Sequence, residues 1–308
     1  MPNIVVTHLA NLPAPAKLNL FLHVTGRRED GMHLLESVFI LIDLADTIDI
    51  EVLDDGRIER TGDVIGDPER DLCVRAARLL QQASGTRPGA RIRVTKRIPA
   101  GAGMGGGSSD AATTLLALNR LWGIEMDDDA LRALAAQLGA DVPFFIFGRN
   151  AFASGIGERL IEVPVPNSCW AIAMPSEPTS TAAVFTDPAL TRDTKSLKIT
   201  DFSDSGGDSG KGRALARSLF AQWPTLPGHN DLEAVARRIN PGVEAALEAL
   251  SAAGGAARMT GSGSAVFAWA ATPEAAAELI KKLPEHTQGY VAKTLHAHPL
   301  KAMLETRF

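Results

Sequence analysis

Twelve consecutive residues constrain this chain more than any others: Pro99-Ala100-Gly101-Ala102-Gly103-Met104-Gly105-Gly106-Gly107-Ser108-Ser109-Asp110. Glycine loses more backbone freedom on folding than any other residue, so five of them in one loop point to backbone that must come close to something. Before the loop, Ile92, Val94 and Ile98 lie among Arg91, Arg93, Lys96 and Arg97, the near-alternation of a strand with one buried face. After it, Ser108, Ser109 and Asp110 are N-cap types, Leu115, Leu118, Leu121 and Trp122 recur at helical spacing, and Gly123 is a natural stop. Strand, glycine loop and helix together form a phosphate cradle, because bare backbone N–H groups can close on an anion at the positive end of a helix.

Other glycine motifs fit less well. A Walker A loop needs Lys after its last Gly, where this chain has Ser108. Gly101, Gly103 and Gly106 do match G-x-G-x-x-G, the mark of a nicotinamide-dependent oxidoreductase. That fold wants an apolar preceding strand and an acid closing the next one. Here the strand is basic on one face, and Asp127 to Asp129 read as a capped helix start. A protein kinase would need H-R-D and D-F-G downstream, and neither occurs.

Composition narrows the partner. The net charge of −5 and pI near 5.8 argue against nucleic acid, so a polyanionic ligand must be met by a local group of basic residues. At 308 residues, 45% apolar and 22% charged, two globular domains are expected, 1–164 and 165–308, divided at Pro164 and Pro166. Cys73 and Cys169 lie in apolar segments and suit free thiols in a reducing compartment. With no basic leader and no long apolar run, a cytoplasmic protein without a membrane partner is the expectation.

Along the chain, strands are expected at Ile4 to Leu9, Ala16 to Val24, Leu34 to Ile42 and Thr47 to Leu53, with Asp55-Gly56 as a hairpin turn. Alternation puts Lys17 and Asn19 on the same face, opposite Leu18 and Leu20. Helices are expected from Asp71 to Ala83 and from Asp127 to Leu138. Asp141, two residues before Pro143, looks locally like an ordinary N-cap, and His33 like a residue beside a turn. Asp193 to Gly212 reads as a mobile surface insertion, and Asn230 with Glu233 as a capping box. From Asn240 to Leu295 the order is helix, strand, the turn Gly261-Ser262-Gly263, strand, helix, strand, which suits an α+β sandwich of ferredoxin-like type. His296 and His298 share a face without a carboxylate cluster, a weak case for a metal.

Three stretches in this order, Pro15-Ala16-Lys17-Leu18-Asn19-Leu20-Phe21-Leu22, Pro99 through Asp110, and Thr260-Gly261-Ser262-Gly263-Ser264, resemble the three motifs of the GHMP small-molecule kinases. Asp30-Gly31-x-His33 and Gly139-Ala140-Asp141-Val142-Pro143 are similar to the branch of that family that phosphorylates 4-diphosphocytidyl-2-C-methylerythritol, in the non-mevalonate route to isoprenoids. The resemblance implies a two-domain α+β fold, with a β-rich ATP-binding domain followed by the ferredoxin-like one. It implies transfer of the terminal phosphate of ATP, with Mg2+, to the 2-hydroxyl of that cytidine diphosphate ester; kinases of mevalonate, homoserine or a sugar are the neighbouring alternatives. It further implies Lys17 and Asp141 at the reacting hydroxyl, and ATP on Pro99, Gly101, Gly103, Met104, Gly105, Gly106, Gly107, Ser108 and Ser109, with Asp71 near the adenine. Asn19, Met32, His33, Thr181, Phe185, Gly261, Ser262 and Gly263 would line the substrate side. Two residues depart from the family pattern: Met32 stands where Tyr is usual beside the cytosine, and Asp71 where Asn is frequent. The motifs leave the oligomeric state open.

Overall fold

The computed structural model describes residues 6–197 and 207–307. Two long antiparallel strands, β1 (His8–Arg27) and β2 (His33–Leu53), each fuse segments that looked separate in the sequence. Register shifts between Leu9 and Leu12 and between Pro15 and Ala16 absorb Pro13 and Pro15, residues that cannot donate to a regular ladder. Residues 4 and 5 of the expected first strand lie outside the described residues. In β1 both the Leu18–Leu20 row and the Lys17–Asn19 row are buried, so neither face is a solvated edge.

The Asp55-Gly56 turn does not close a hairpin. Along Thr47 to Leu53, β2 is already paired on one side with β1 and on the other with β4 (Gly89–Thr95), so β3 (Ile58–Gly62) has no edge of β2 to join and pairs parallel to β4 instead.

Behind this sheet lie α1 (Leu72–Ser84), α2 (Gly106–Leu121), α3 (Asp128–Ala135) and α4 (Val142–Phe147). Every residue of α2 from Ser109 to Asn119 is buried, and its Ala111, Ala112 and Ala117 are small enough to let α1, α4, β1 and β2 pack around it. Truncating a fully buried leucine such as Leu115 or Leu118 to alanine would cost about 2–5 kcal/mol. The helix starts earlier than the serines suggested: Gly105, in the left-handed region at φ 72°, is the N-cap, and no side chain caps it.

The first sheet is completed by the hairpin β5 (Ala151–Ser154), paired with β2, and β6 (Arg159–Glu162); the second half follows with β7 (Cys169–Met174), α5 (Thr181–Thr186), α6 (Gly207–Leu219) and α7 (Glu233–Ile239). Then come α8 (Pro241–Ala252), β8 (Ala257–Met259), β9 (Val266–Ala270), α9 (Pro273–Ile280), β10 (Gln288–Leu295) and α10 (Pro299–Arg307). The strands lie in the order β10-β7-β9-β8, all antiparallel, with α8 and α9 packed on them, which is the ferredoxin-like sandwich expected. Two residues of β10, Thr294 and Leu295, also pair with Ile42 and Leu41 of β2, joining the sheets of the two halves.

Three local expectations are corrected. Glu233 accepts from the amide of Met259 at 2.8 Å rather than from Asn230, and Asn230 donates to the carbonyls of Met259 and Gly261; the supposed capping box is a brace for the third glycine turn. Within the expected insertion, Thr194 bonds Asp231 and the Val24 carbonyl, the Leu197 amide bonds Glu36, and α6 begins at Gly207; residues 198–206 lie outside the described residues. His298 is buried, whereas His296 is exposed and pairs with Asn167, so the two share no site. Both cysteines are free and buried, as expected.

Candidate active site

Two cavities meet at the glycine loop. The first, about 410 Å³, is walled by Pro99 through Ser108, with Arg60, Asp71, Lys96 and Asp110 around it. The second, about 610 Å³, holds Lys17, Asn19, Arg27, Met32, His33, Asp141, Thr181, Phe185 and Gly261 through Gly263. Gly101, Gly103, Gly105 and Ser108 line both. In the first cavity Arg60 and Lys96 are paired with Asp71, Asp46 and Asp110, so what it offers an anion is mainly backbone N–H; the second cavity adds Lys17 and Arg27.

Close approach explains two of the glycines. Gly103 sits at φ 73°, where a Cβ would collide with the carbonyl oxygen of Thr260. A Cβ on Gly105 would come within 3.0 Å of the Phe145 ring and 3.3 Å of the Lys17 stem. The loop is sewn to both other motifs by backbone: the Lys17 amide donates to Met104 O at 3.0 Å, and the Ser264 and Ala265 amides donate to Gly101 O and Ala102 O. Met104 therefore faces the first cavity with its backbone while its side chain is buried in the core. Ser108 reaches both cavities, but Ser109, one helical step further round, is turned inward and fully buried with its hydroxyl unpartnered. Asp71 lines the first cavity with both oxygens taken, one by the Cys73 amide at the start of α1 and one by Arg60 Nε.

Lys17 and Asp141, from β1 and the start of α4, face each other with Nζ and Oδ2 3.6 Å apart. Although Asp141 occupies the N-cap position, its side chain makes no capping bond. What looked in the sequence like a cap is a carboxylate one-third exposed in the second cavity. The Lys17 side chain is held from three directions: Asn19 Oδ1 accepts from Nζ at 2.5 Å, the Phe39 ring centroid lies 5.1 Å from it, and Asp141 stands opposite. Asn19 is itself fixed by Ser37 and by Thr260. Its amide is committed to this network, so Asn19 orients Lys17 more directly than it reads a ligand.

Further along the second cavity, the Phe185 and His33 rings lie 5.0 Å apart, tilted by 37°. Met32 is exposed beside them, at the end of a turn in which Asp30 accepts from its amide. The Thr181 hydroxyl bonds that of Ser262 at 2.7 Å, tying α5 to the third glycine turn. Every expected substrate-side residue lines this cavity.

Sequence reasoning missed several supporting groups. Lys96 Nζ lies between Asp46 (2.5 Å) and Asp110 (2.7 Å) behind the loop, with Asp46 also accepting from the amides of Arg97 and Ile98. Burial pushes the Asp110 carboxyl up to about 7, against the pull of Lys96 and with the Asp46 charge adding to the rise. Lys96 and Asp110 flank the glycine stretch and were visible; Asp46 carried no local signal.

Two family profiles match this chain: "GHMP kinases N terminal domain" over residues 71–149 and "GHMP kinases C terminal" over 209–288. The chain belongs to the GHMP kinase family. A relative from Thiobacillus denitrificans, named 4-diphosphocytidyl-2-C-methyl-D-erythritol kinase, is 50% identical over 94% of this chain and 96% of its own length. One of the same name from Methylibium petroleiphilum is 48% identical over 95% of this chain and 96% of its own length. A crystal structure of 4-(cytidine 5'-diphospho)-2C-methyl-D-erythritol kinase matches with TM-score 0.75 at 36% identity, covering 93% of this chain and 98% of that one. The crystal structure of a homoserine kinase from Cytophaga hutchinsonii matches with TM-score 0.70 at 19% identity, covering 97% of this chain and 98% of that one, and shares the fold.

Proposed function

We propose that this GHMP kinase transfers the terminal phosphate of ATP to the 2-hydroxyl of 4-diphosphocytidyl-2-C-methyl-D-erythritol, giving the 2-phosphate and ADP in non-mevalonate isoprenoid biosynthesis. The observation that carries the reading is the 3.6 Å pair of Lys17 and Asp141 beside the glycine loop where two cavities join. Relatives about half identical over nearly the whole chain, all bearing one kinase name, support the choice of acceptor.

The chemistry follows from the arrangement. Phosphoryl transfer passes through a loose transition state, so catalysis is mostly positioning and charge neutralisation. The backbone N–H groups at the start of α2 would hold the phosphates. Asp141 would take the proton of the attacking hydroxyl, and Lys17 would stabilise charge on the transferring group. The phosphates of the acceptor would meet Arg27, and its base the wall of Met32, His33 and Phe185. Residues 1–164 would form the ATP-binding unit and 165–308 the substrate-side unit.

Among the described residues no group of three His, Cys, Asp or Glu side chains could hold a metal ion. A magnesium ion carried by the nucleotide needs few protein ligands, and the Ser108 hydroxyl, which lines both cavities, fits that role. When bound, it would neutralise phosphate charge.

The test is transfer of labelled terminal phosphate from ATP, offered the cytidyl ester beside mevalonate, homoserine and galactose. Preferred turnover of the cytidyl ester is the expected result; preference for another alcohol would move the enzyme elsewhere in the family.

A further inference from the structure

Arg192 follows α5 and uses three of its nitrogens at once. Nη2 donates to the carbonyls of Phe185 (3.0 Å) and Asp187 (2.8 Å), Nη1 to that of Leu190 (3.0 Å), and Nε to Nε2 of His33 (3.2 Å). The carbonyl contacts are what an arginine at a helix C-terminus ordinarily makes. The contact with His33 carries more information. A guanidinium is always protonated and has only N–H to offer, so the nitrogen facing it must present a lone pair.

Nε2 of His33 therefore accepts, and the ring proton of the neutral imidazole sits on Nδ1, which bonds no described residue. Burial, Arg192 and the nearby Arg27 hold His33 below the usual histidine range, so the ring stays neutral near pH 7. The same guanidinium grips the Phe185 backbone carbonyl, so one side chain holds both the His33 ring and the main chain that carries the Phe185 ring.

We propose that Arg192 is a positioning residue that locks His33 as its Nδ1–H tautomer and so gives the base-binding wall a fixed donor, selecting a pyrimidine whose ring nitrogen carries no proton. This rests on the reading of the His33–Phe185 wall as the site of the base. Cytosine offers such a nitrogen; uracil carries N–H at the same place and would set donor against donor.

Two measurements on the full-length enzyme test it. Nitrogen-15 NMR of the imidazoles, with His33 assigned through His33→Gln, should show the proton on Nδ1 in the parent and a mixture of tautomers in Arg192→Met. In steady-state assays with the cytidine diphosphate ester and its uridine counterpart, Arg192→Met should lower the cytidyl-to-uridyl ratio of kcat/KM about tenfold, the size of one lost hydrogen bond to a base. The loss should fall on KM, with kcat changing less than about threefold, and Arg192→Lys should recover part of it. A proton on Nε2 in the parent overturns the proposal, as does an equal loss for both esters, which would mark a purely structural role. If Arg192→Met does not fold, the parent tautomer and the Arg192→Lys ratio decide. Failure to turn over the cytidyl ester while Nδ1 keeps its proton would overturn the base selection together with the substrate reading, and leave the Arg192–His33 geometry intact.

Discussion

The two cavities are built in different ways. The first is mainly backbone from one unbroken stretch, Pro99 to Ser108, whose glycines allow the main chain to turn and to touch Thr260. The second is mainly side chains brought from β1, the turn before β2, the start of α4, α5 and the third glycine turn. A backbone cradle suits phosphates, which every nucleotide carries; a wall of side chains can distinguish one acceptor from another. Substitutions that separate the two sites would test this division of labour.

The largest separation should come from Asp141→Asn. On the proposed role of Asp141 as proton acceptor, kcat should fall on the order of a thousandfold, while ATP affinity by calorimetry stays within a few-fold. Comparable turnover would remove Asp141 from the chemistry. Gly103→Ala should do the reverse. A Cβ forced toward Thr260 O at φ 73° strains the loop by about 1–3 kcal/mol, so ATP affinity should drop roughly tenfold or more, while binding of the cytidyl ester without nucleotide changes less. Equal damage to both would mean that the loop and the second cavity act as one.

A smaller effect concerns what stands behind the backbone cradle. Burial, with the Asp46 charge adding to it and Lys96 opposing, lets Asp110 keep its proton up to about 7. A carboxyl raised on folding adds stability that is full below its unfolded pKa, near 4, and is lost as the pH climbs through its folded one. Between about pH 4.5 and 7.5 the parent should lose on the order of 2 kcal/mol that Asp110→Asn keeps, measured by denaturant melts at both values. Parallel stability profiles would place the charge elsewhere.

The smallest effect belongs to the side-chain wall. Met32→Tyr should tighten the cytidyl ester about three- to tenfold, an aromatic face being worth about 0.5–1.5 kcal/mol beyond its burial. Unchanged affinity would mean that residue 32 does not meet the base.

This division also explains how much could be read in advance. The glycine loop was legible because its demands are local: positive φ and the absence of a Cβ are properties of consecutive residues. The common face of Lys17 and Asn19 followed from strand alternation alone. Locally plausible readings failed where a distant partner competed. Asp141 looked like a cap but turns to Lys17, Glu233 leaves its helix for the Met259 amide, and the Asp55-Gly56 turn opens because both edges of β2 were already filled. Ser109 was misread for a simpler reason, a helix starting at Gly106 that turned its hydroxyl inward.

By itself, the amino-acid order determined that a glycine-lined stretch of main chain would open α2, since backbone conformation is set by the residues that adopt it. Only the tertiary structure decided that Lys17 would meet Asp141 and that Arg192 would hold His33. Those contacts join segments far apart in the chain, and what brings them together is the packing of β1, α4 and the strand pairing around them, to which no single segment holds the key.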